Sequence, residues 1–186
     1  FLDIDVEKQG IDLLAFPGHK GLYGPTGTGG LYIGEGITLS PLKEGGTGSK
    51  SQSWEQPDSL PDRFESGTIN TLGIAGLMAG IEFLQNEGIK NIREHEWDLT
   101  KRFCRGLTEI EQVKVYGPKP DVFRAPVVSF NIKNCDSGEV SFMLDKMFGI
   151  AARSGFHCAP LTHRTIGTEK TGTVRFSFGS FNTIEQ

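Results

Sequence analysis

The chain has 186 residues, 37% hydrophobic and 23% charged, with a formal net charge of -4. This is the balance of an ordinary globular chain, and the negative charge gives no electrostatic reason to expect a nucleic-acid partner. No apolar run reaches the roughly 18–20 residues of a membrane span, and the opening Phe-Leu-Asp-Ile-Asp has neither an initiator Met nor a basic-then-apolar leader, as expected for part of a longer protein.

In chain order, residues 11–16 form a short apolar run ending at Pro17-Gly18, which predicts a buried strand stopped by a loop. Residues 29–33 predict a second strand, and the Gly- and Pro-rich PGHKGLYGPTGTGG between them is too irregular for a regular element. Two strands cannot enclose a core alone, so their sheet neighbours are expected upstream. Residues 40–63 read as a long polar loop. Helical spacing then predicts a helix from about Thr71 to Asn86, with Gly88 as its stop, and an amphipathic one from about Ile89 to Leu107. Strands are expected at 113–117 and 126–132, and a helix from Glu139 to Met147 with Val140, Leu144 and Met147 on one face. Further strands are expected at Ile150–Arg153 and Thr173–Phe178, around an irregular loop. The last part should fold as a small α+β domain with a helix-covered sheet.

Four segments carry candidate chemistry. Lys20, flanked by Gly18 and Gly21 just beyond a strand end, is placed where backbone can approach a ligand, and lysine is the side chain that forms Schiff bases with carbonyl cofactors. His19 could donate to an anion; the alternative for Lys20 is a solvated loop lysine. The segment is not a Walker loop, because Gly follows Lys20 and the spacing is wrong. Cys158, in ARSGFHCAP, has His157 and Arg153 near it in sequence, and cationic neighbours favour a reactive thiolate. A small buried hydrophobe is the alternative, and it suits Cys104 and Cys135 better. Arg175 lies within an apolar strand and needs an anionic partner, either a substrate carboxylate or a structural acid. In RFESGTINT, Thr68 sits before a helix start, where a hydroxyl can meet a phosphate; capping by Thr68 or Thr71 is the alternative. Three widely spaced cysteines give no disulfide framework and suit a reducing compartment, and no metal-binding pattern stands out.

In this order and at these spacings, the segments resemble the cysteine desulfurases of the class V aminotransferase family, in the SufS-like subgroup. The residues that carry the resemblance are Gly18-His19-Lys20 with Tyr23-Gly24-Pro25-Thr26-Gly27, then Arg63 through Asn70. Arg153, Gly155, His157, Cys158 and Ala159 follow, and finally Arg175 with Phe181-Asn182-Thr183. Departures are Pro17 where a Ser or Thr phosphate ligand is usual, and Phe156 where a first His is usual.

The resemblance implies an α/β fold: the C-terminal part of a fold-type I PLP-dependent transferase. Residues 1–70 would be an incomplete part of the large, cofactor-binding domain. Residues 71–186 would be linking helices and the small C-terminal α+β domain, with its last helices missing. It implies pyridoxal 5'-phosphate held by Lys20 as Schiff-base lysine, with His19 on the phosphate and Thr68 reaching the phosphate of the neighbouring subunit in a homodimer. Arg175 would bind the substrate α-carboxylate, and Arg153 would be a second substrate-binding residue. Cys158 would take sulfur from L-cysteine as a persulfide and release L-alanine. The resemblance also implies a cytoplasmic protein of sulfur metabolism and iron–sulfur cluster assembly, possessing a sulfur-acceptor protein. The groups that stack on the cofactor ring and pair its nitrogen are expected upstream of residue 1, which would leave this chain inactive alone. A selenocysteine lyase, another class V aminotransferase or lyase, and a merely dimerising domain are the alternatives.

Overall fold

The computed structural model describes residues 4–186. The chain divides into two compact units, Phe1–Glu87 and Gly88–Gln186.

In the first unit, β1 (Leu13–Pro17) and β2 (Gly29–Ile33) pair antiparallel, from Leu13 opposite Ile33 to Pro17 opposite Gly29. Residues 18–28 are therefore the connection of a hairpin, and Lys20 rides on it. The burial predicted for these strands is not found: Leu13, Phe16 and Leu31 are all exposed. A two-stranded ribbon leaves both of its faces largely uncovered. Residues 40–66 are irregular apart from a 3-10 turn at Asp62–Phe64.

Helix α1 (Thr71–Glu87) closes this unit. Its cap is Asn70, whose Oδ1 accepts from the Gly73 amide at 3.0 Å, so neither Thr68 nor Thr71 caps it. The sequence grouping set a boundary after residue 70, yet contacts place α1 with the hairpin. Its Gly76 faces Pro25, its Gly80 faces the backbone of Leu22 and Tyr23, and its Leu77 lies against Gly18 and Gly24. A small-residue stripe lets the helix lie directly on the loop.

In the second unit, β3 (Val113–Tyr116), β4 (Val127–Ile132) and β5 (Val174–Ser177) form an antiparallel sheet in the order β3-β4-β5. Register alternation sorts the side chains. Val113, Val115, Val128, Phe130, Val174 and Phe176 share one face, packed with Phe103, Leu107 and Cys104 of α2 (Ile89–Thr108) and Val140 and Leu144 of α3 (Ser137–Phe148). Phe103 stacks within 4.8 Å of Phe176 and 5.3 Å of Phe178, aromatic pairs worth about 1 kcal/mol each beyond their buried area. The helix-covered sheet is as expected. Its other face carries Tyr116, Ser129, Asn131 and Arg175.

Several details differ from expectation. Met147 is exposed, because the α3 stripe turns away from the sheet after Leu144. Helix α3 starts two residues earlier than predicted, capped by Asp136, which accepts from the amides of Gly138 and Glu139. No strand forms at 150–153; a single bridge pairs Arg153 with Arg175. A short helix, α4 (Pro160–Thr165), stands where a loop was expected. Cys104 is buried as a small hydrophobe would be, but Cys135 is exposed.

Helix α2 also buries Glu96, which is 4% exposed and whose Oε2 has no hydrogen-bond partner. Burial pushes its carboxyl above the usual 4.5. A carboxyl raised on folding contributes stability that is fully present below about pH 4.5 and is lost as pH rises through the folded value. Glu96→Gln keeps the shape and cannot ionise. Its urea midpoint should match wild type near pH 4.5 and exceed it increasingly toward pH 8. Parallel pH profiles would show that Glu96 is not the titrating group.

Candidate active site

The lysine loop is closed by backbone bonds. The Gly18 amide donates to Thr28 O at 2.8 Å, the Gly24 amide to Gly18 O at 2.9 Å and the Tyr23 amide to Lys20 O at 3.1 Å. Tyr23 adopts a left-handed φ of 57° to complete the turn. A side chain at Gly18 would place Cβ 2.4 Å from Thr28 Oγ1, so the close approach requires glycine. His19 and Lys20 project from this loop, exposed, and among the described residues no hydrogen bond or ion pair occupies either side chain. Thr68 is exposed. Arg63, by contrast, is structural: Nε and Nη2 donate to Leu39 O at 3.3 and 3.1 Å, and Nη1 meets Asp58 at 2.8 Å.

The donor set fits pyridoxal phosphate. The free primary amine of Lys20 could meet its carbonyl, and the adjacent imidazole of His19 could donate to its phosphate.

The second unit builds its candidate site on the sheet face away from α2 and α3. Arg153 and Arg175 exchange both backbone hydrogen bonds, at 3.1 and 2.7 Å, so their side chains lie on the same face of the ribbon. Like charges directly opposite are unfavourable without a counter-ion. Among the described residues neither guanidinium has an acidic partner, and the Nε of Arg175 is buried with no acceptor. The structural-acid alternative for Arg175 thus finds no acid.

Beyond Arg153 the chain turns sharply. The Ala159 amide donates to Phe156 O at 2.8 Å, and the two central residues, His157 and Cys158, have φ of 52° and 59°. This is the backbone pattern of a type I' turn, which ordinarily takes Asn-Gly. Holding two side-chain-bearing residues there costs about 1–2 kcal/mol each, a strain that clusters at functional positions. Cys158 is exposed, and Arg153 Nη2 donates to its Sγ at 3.4 Å. His157 Nε2 lies 3.1 Å from Thr173 O and 3.0 Å from Thr173 Oγ1. Burial, then the charge of Arg175, holds the His157 imidazole below its usual 6.5.

The structure brings Arg153, Cys158 and Arg175 together in one unit; His19 and Lys20 are adjacent on the lysine loop of the other, and Thr68 lies exposed elsewhere in that unit. Sequence reasoning missed His163 and Thr168 of the second unit. Both are buried, and His163 Nδ1 meets Thr168 Oγ1 at 2.8 Å. The five-residue spacing of this pair, across the end of an unpredicted helix, matches no periodic pattern. Among the described residues no group of three or more His, Cys, Asp or Glu side chains could hold a metal ion, and no helix is long and apolar enough to cross a membrane.

Comparison with known proteins covers both units. A probable cysteine desulfurase of Methanothermobacter thermautotrophicus is 36% identical over the whole chain, which spans 47% of that protein. One from Pyrococcus abyssi is 40% identical, with 46% of its length spanned. The chain thus spans about half the length of the curated relatives it matches. Among solved structures, the apo cysteine desulfurase of Thermococcus onnurineus NA1 superposes with a TM-score of 0.80 at 39% identity, over 97% of this chain and 45% of that one. The cysteine desulfurase CsdA of Escherichia coli gives 0.85 at 30% identity, over 97% and 44%. The fold is therefore a partial one of the kind these enzymes share. With the aminotransferase class-V family matching residues 2–186, the chain belongs to that family.

Proposed function

We propose that the protein of which this chain forms part is a pyridoxal-phosphate-dependent cysteine desulfurase, with Cys158 as the sulfur acceptor. The observation that carries this reading is the exposed Cys158 thiol on a strained turn, with Arg153 donating to its sulfur and the unpartnered Arg175 Nε nearby in the same unit. The names of the relatives support it.

Lys20 would hold the cofactor through Nζ, with His19 donating to its phosphate and Thr68 to the phosphate of the cofactor in the neighbouring subunit. When bound, the cofactor supplies an electron sink at the substrate Cα. Lys20 Nζ carries the Cα proton. Arg175, with Arg153 beside it, binds the substrate carboxylate and so satisfies the donors left open on that face. Cys158 Sγ attacks the substrate sulfur: an S–S bond forms and the Cβ–S bond breaks. The carbon product takes up a proton and leaves as L-alanine. L-cysteine and one enzyme thiol give L-alanine and one enzyme persulfide, so no outside oxidant or reductant is needed.

A homodimer, a sulfur-acceptor protein that unloads the persulfide for iron–sulfur cluster assembly, and a cytoplasmic location belong to the same reading. The last is supported by three cysteines that are all free. The test uses full-length protein with pyridoxal phosphate and L-cysteine, without reductant. The expected result is one alanine per active site, with the Cys158 peptide heavier by one sulfur atom. Alanine formed with Cys158 unmodified would overturn the assignment.

A further inference from the structure

The turn that presents Cys158 is stitched to one residue of the neighbouring strand. Thr173, fully buried, exchanges both backbone bonds with Gly155, each 3.1 Å, two residues before His157. Its carbonyl and its hydroxyl both lie within 3.1 Å of His157 Nε2. A carbonyl only accepts, so Nε2 carries the proton. The neutral ring then leaves Nδ1 as a bare acceptor, and Nδ1 is buried without a partner.

The groups facing this ring are Arg175 on β5, Arg153 before the turn, and His163 on α4, its ring centroid 5.6 Å away. None is an acid. A second proton on Nδ1 would be buried without an acceptor among cations, in keeping with an imidazole held below its usual range.

We infer that Thr173 is a positioning residue for sulfur transfer: its carbonyl and hydroxyl hold His157 as the Nε2-protonated neutral imidazole and so pin the left-handed His157–Cys158 pair that presents Sγ to Arg153. The inference rests on Cys158 as sulfur acceptor. Its test reads the thiol and the imidazole directly, so a failure of desulfurase activity and a failure of this inference are distinguishable.

The test uses the full-length protein and two variants. Thr173→Val keeps the shape and the carbonyl but removes the hydroxyl; Thr173→Ser restores it. Iodoacetamide labelling of the Cys158 peptide is followed from pH 6 to 9, and nitrogen-15 NMR reads the His157 tautomer. In wild type, His157 should be the Nε2–H tautomer at pH 7. In Thr173→Val the retained carbonyl should keep the Nε2–H tautomer, but with the hydroxyl gone the turn is held less firmly, and labelling at pH 7 should slow by about threefold to tenfold as the sulfur loses its fixed donor. Thr173→Ser should recover the wild-type rate. A folded Thr173→Val with the wild-type labelling profile would overturn the inference. If that variant does not fold, the wild-type spectrum still decides: an Nδ1–H or doubly protonated His157 at pH 7 overturns it.

Discussion

In the full-length protein, Cys158→Ala is expected to lower cysteine-dependent alanine and sulfide formation by roughly 10³-fold or more, the scale on which removal of a covalent nucleophile acts. Cys158→Gly should be equally inactive. The two variants should differ in stability, however. Alanine at a φ of 59° keeps the Cβ penalty of the left-handed region, whereas glycine adopts that region freely. Both lose the contact from Arg153 equally. Cys158→Gly should therefore be more stable than Cys158→Ala by about 1 kcal/mol in urea unfolding, although glycine has the more flexible unfolded chain. Equal midpoints would mean that the turn relaxes once the sulfur is gone. Unchanged turnover in either variant would remove Cys158 from the reaction.

That comparison shows why this part of the site was only half legible in the sequence. Arg153, His157 and Cys158 are close in the chain, so their proximity could be read from spacing. The type I' turn could not, because His-Cys lacks the Asn-Gly signature by which such turns are recognised. The turn exists because Thr173 and Arg175, some twenty residues further along the chain, hold Gly155, His157 and Arg153, and a tertiary restraint leaves no local mark. The same holds elsewhere. Helices α1 and α2 were legible because their apolar spacing is sustained over 17 and 20 residues. Helix α4, at six residues with Pro160 at its start, is too short to show a period. The run 150–153 contributes one bridge, at Arg153, and past it only Gly155 exchanges backbone bonds, with Thr173, before the chain turns. Arg175 was recognisable as a charge in an apolar strand; that no acid among the described residues pairs with it is a statement about its neighbours, which only the fold supplies.

Two glycine-to-alanine changes inside helices should have opposite signs, and the difference bears on the lysine loop. In α2, a Cβ at the exposed Gly106 would meet nothing within 4 Å. Gly106→Ala should stabilise the second unit by about 1 kcal/mol, the ordinary gain in helix propensity. In α1, a Cβ at Gly80 would fall 2.3 Å from Leu22 O and 3.0 Å from the carbonyl carbon of Tyr23. These are backbone atoms two and three residues beyond Lys20, in a loop already closed by the Gly18–Gly24 and Lys20–Tyr23 hydrogen bonds. No side chain can swing aside, so either α1 lifts or the loop moves. Overpacking of this kind costs about 1–3 kcal/mol. Set against the same propensity gain, it should leave Gly80→Ala less stable by up to about 2 kcal/mol where Gly106→Ala is more stable. Because the displaced backbone carries Lys20, borohydride trapping of pyridoxal phosphate on that lysine in full-length protein should fall in Gly80→Ala and stay at the wild-type level in Gly106→Ala. A Gly80→Ala variant as stable as Gly106→Ala would show that α1 does not rest on the loop. A destabilised variant that still traps cofactor normally would show that the helix supports the fold without placing the lysine.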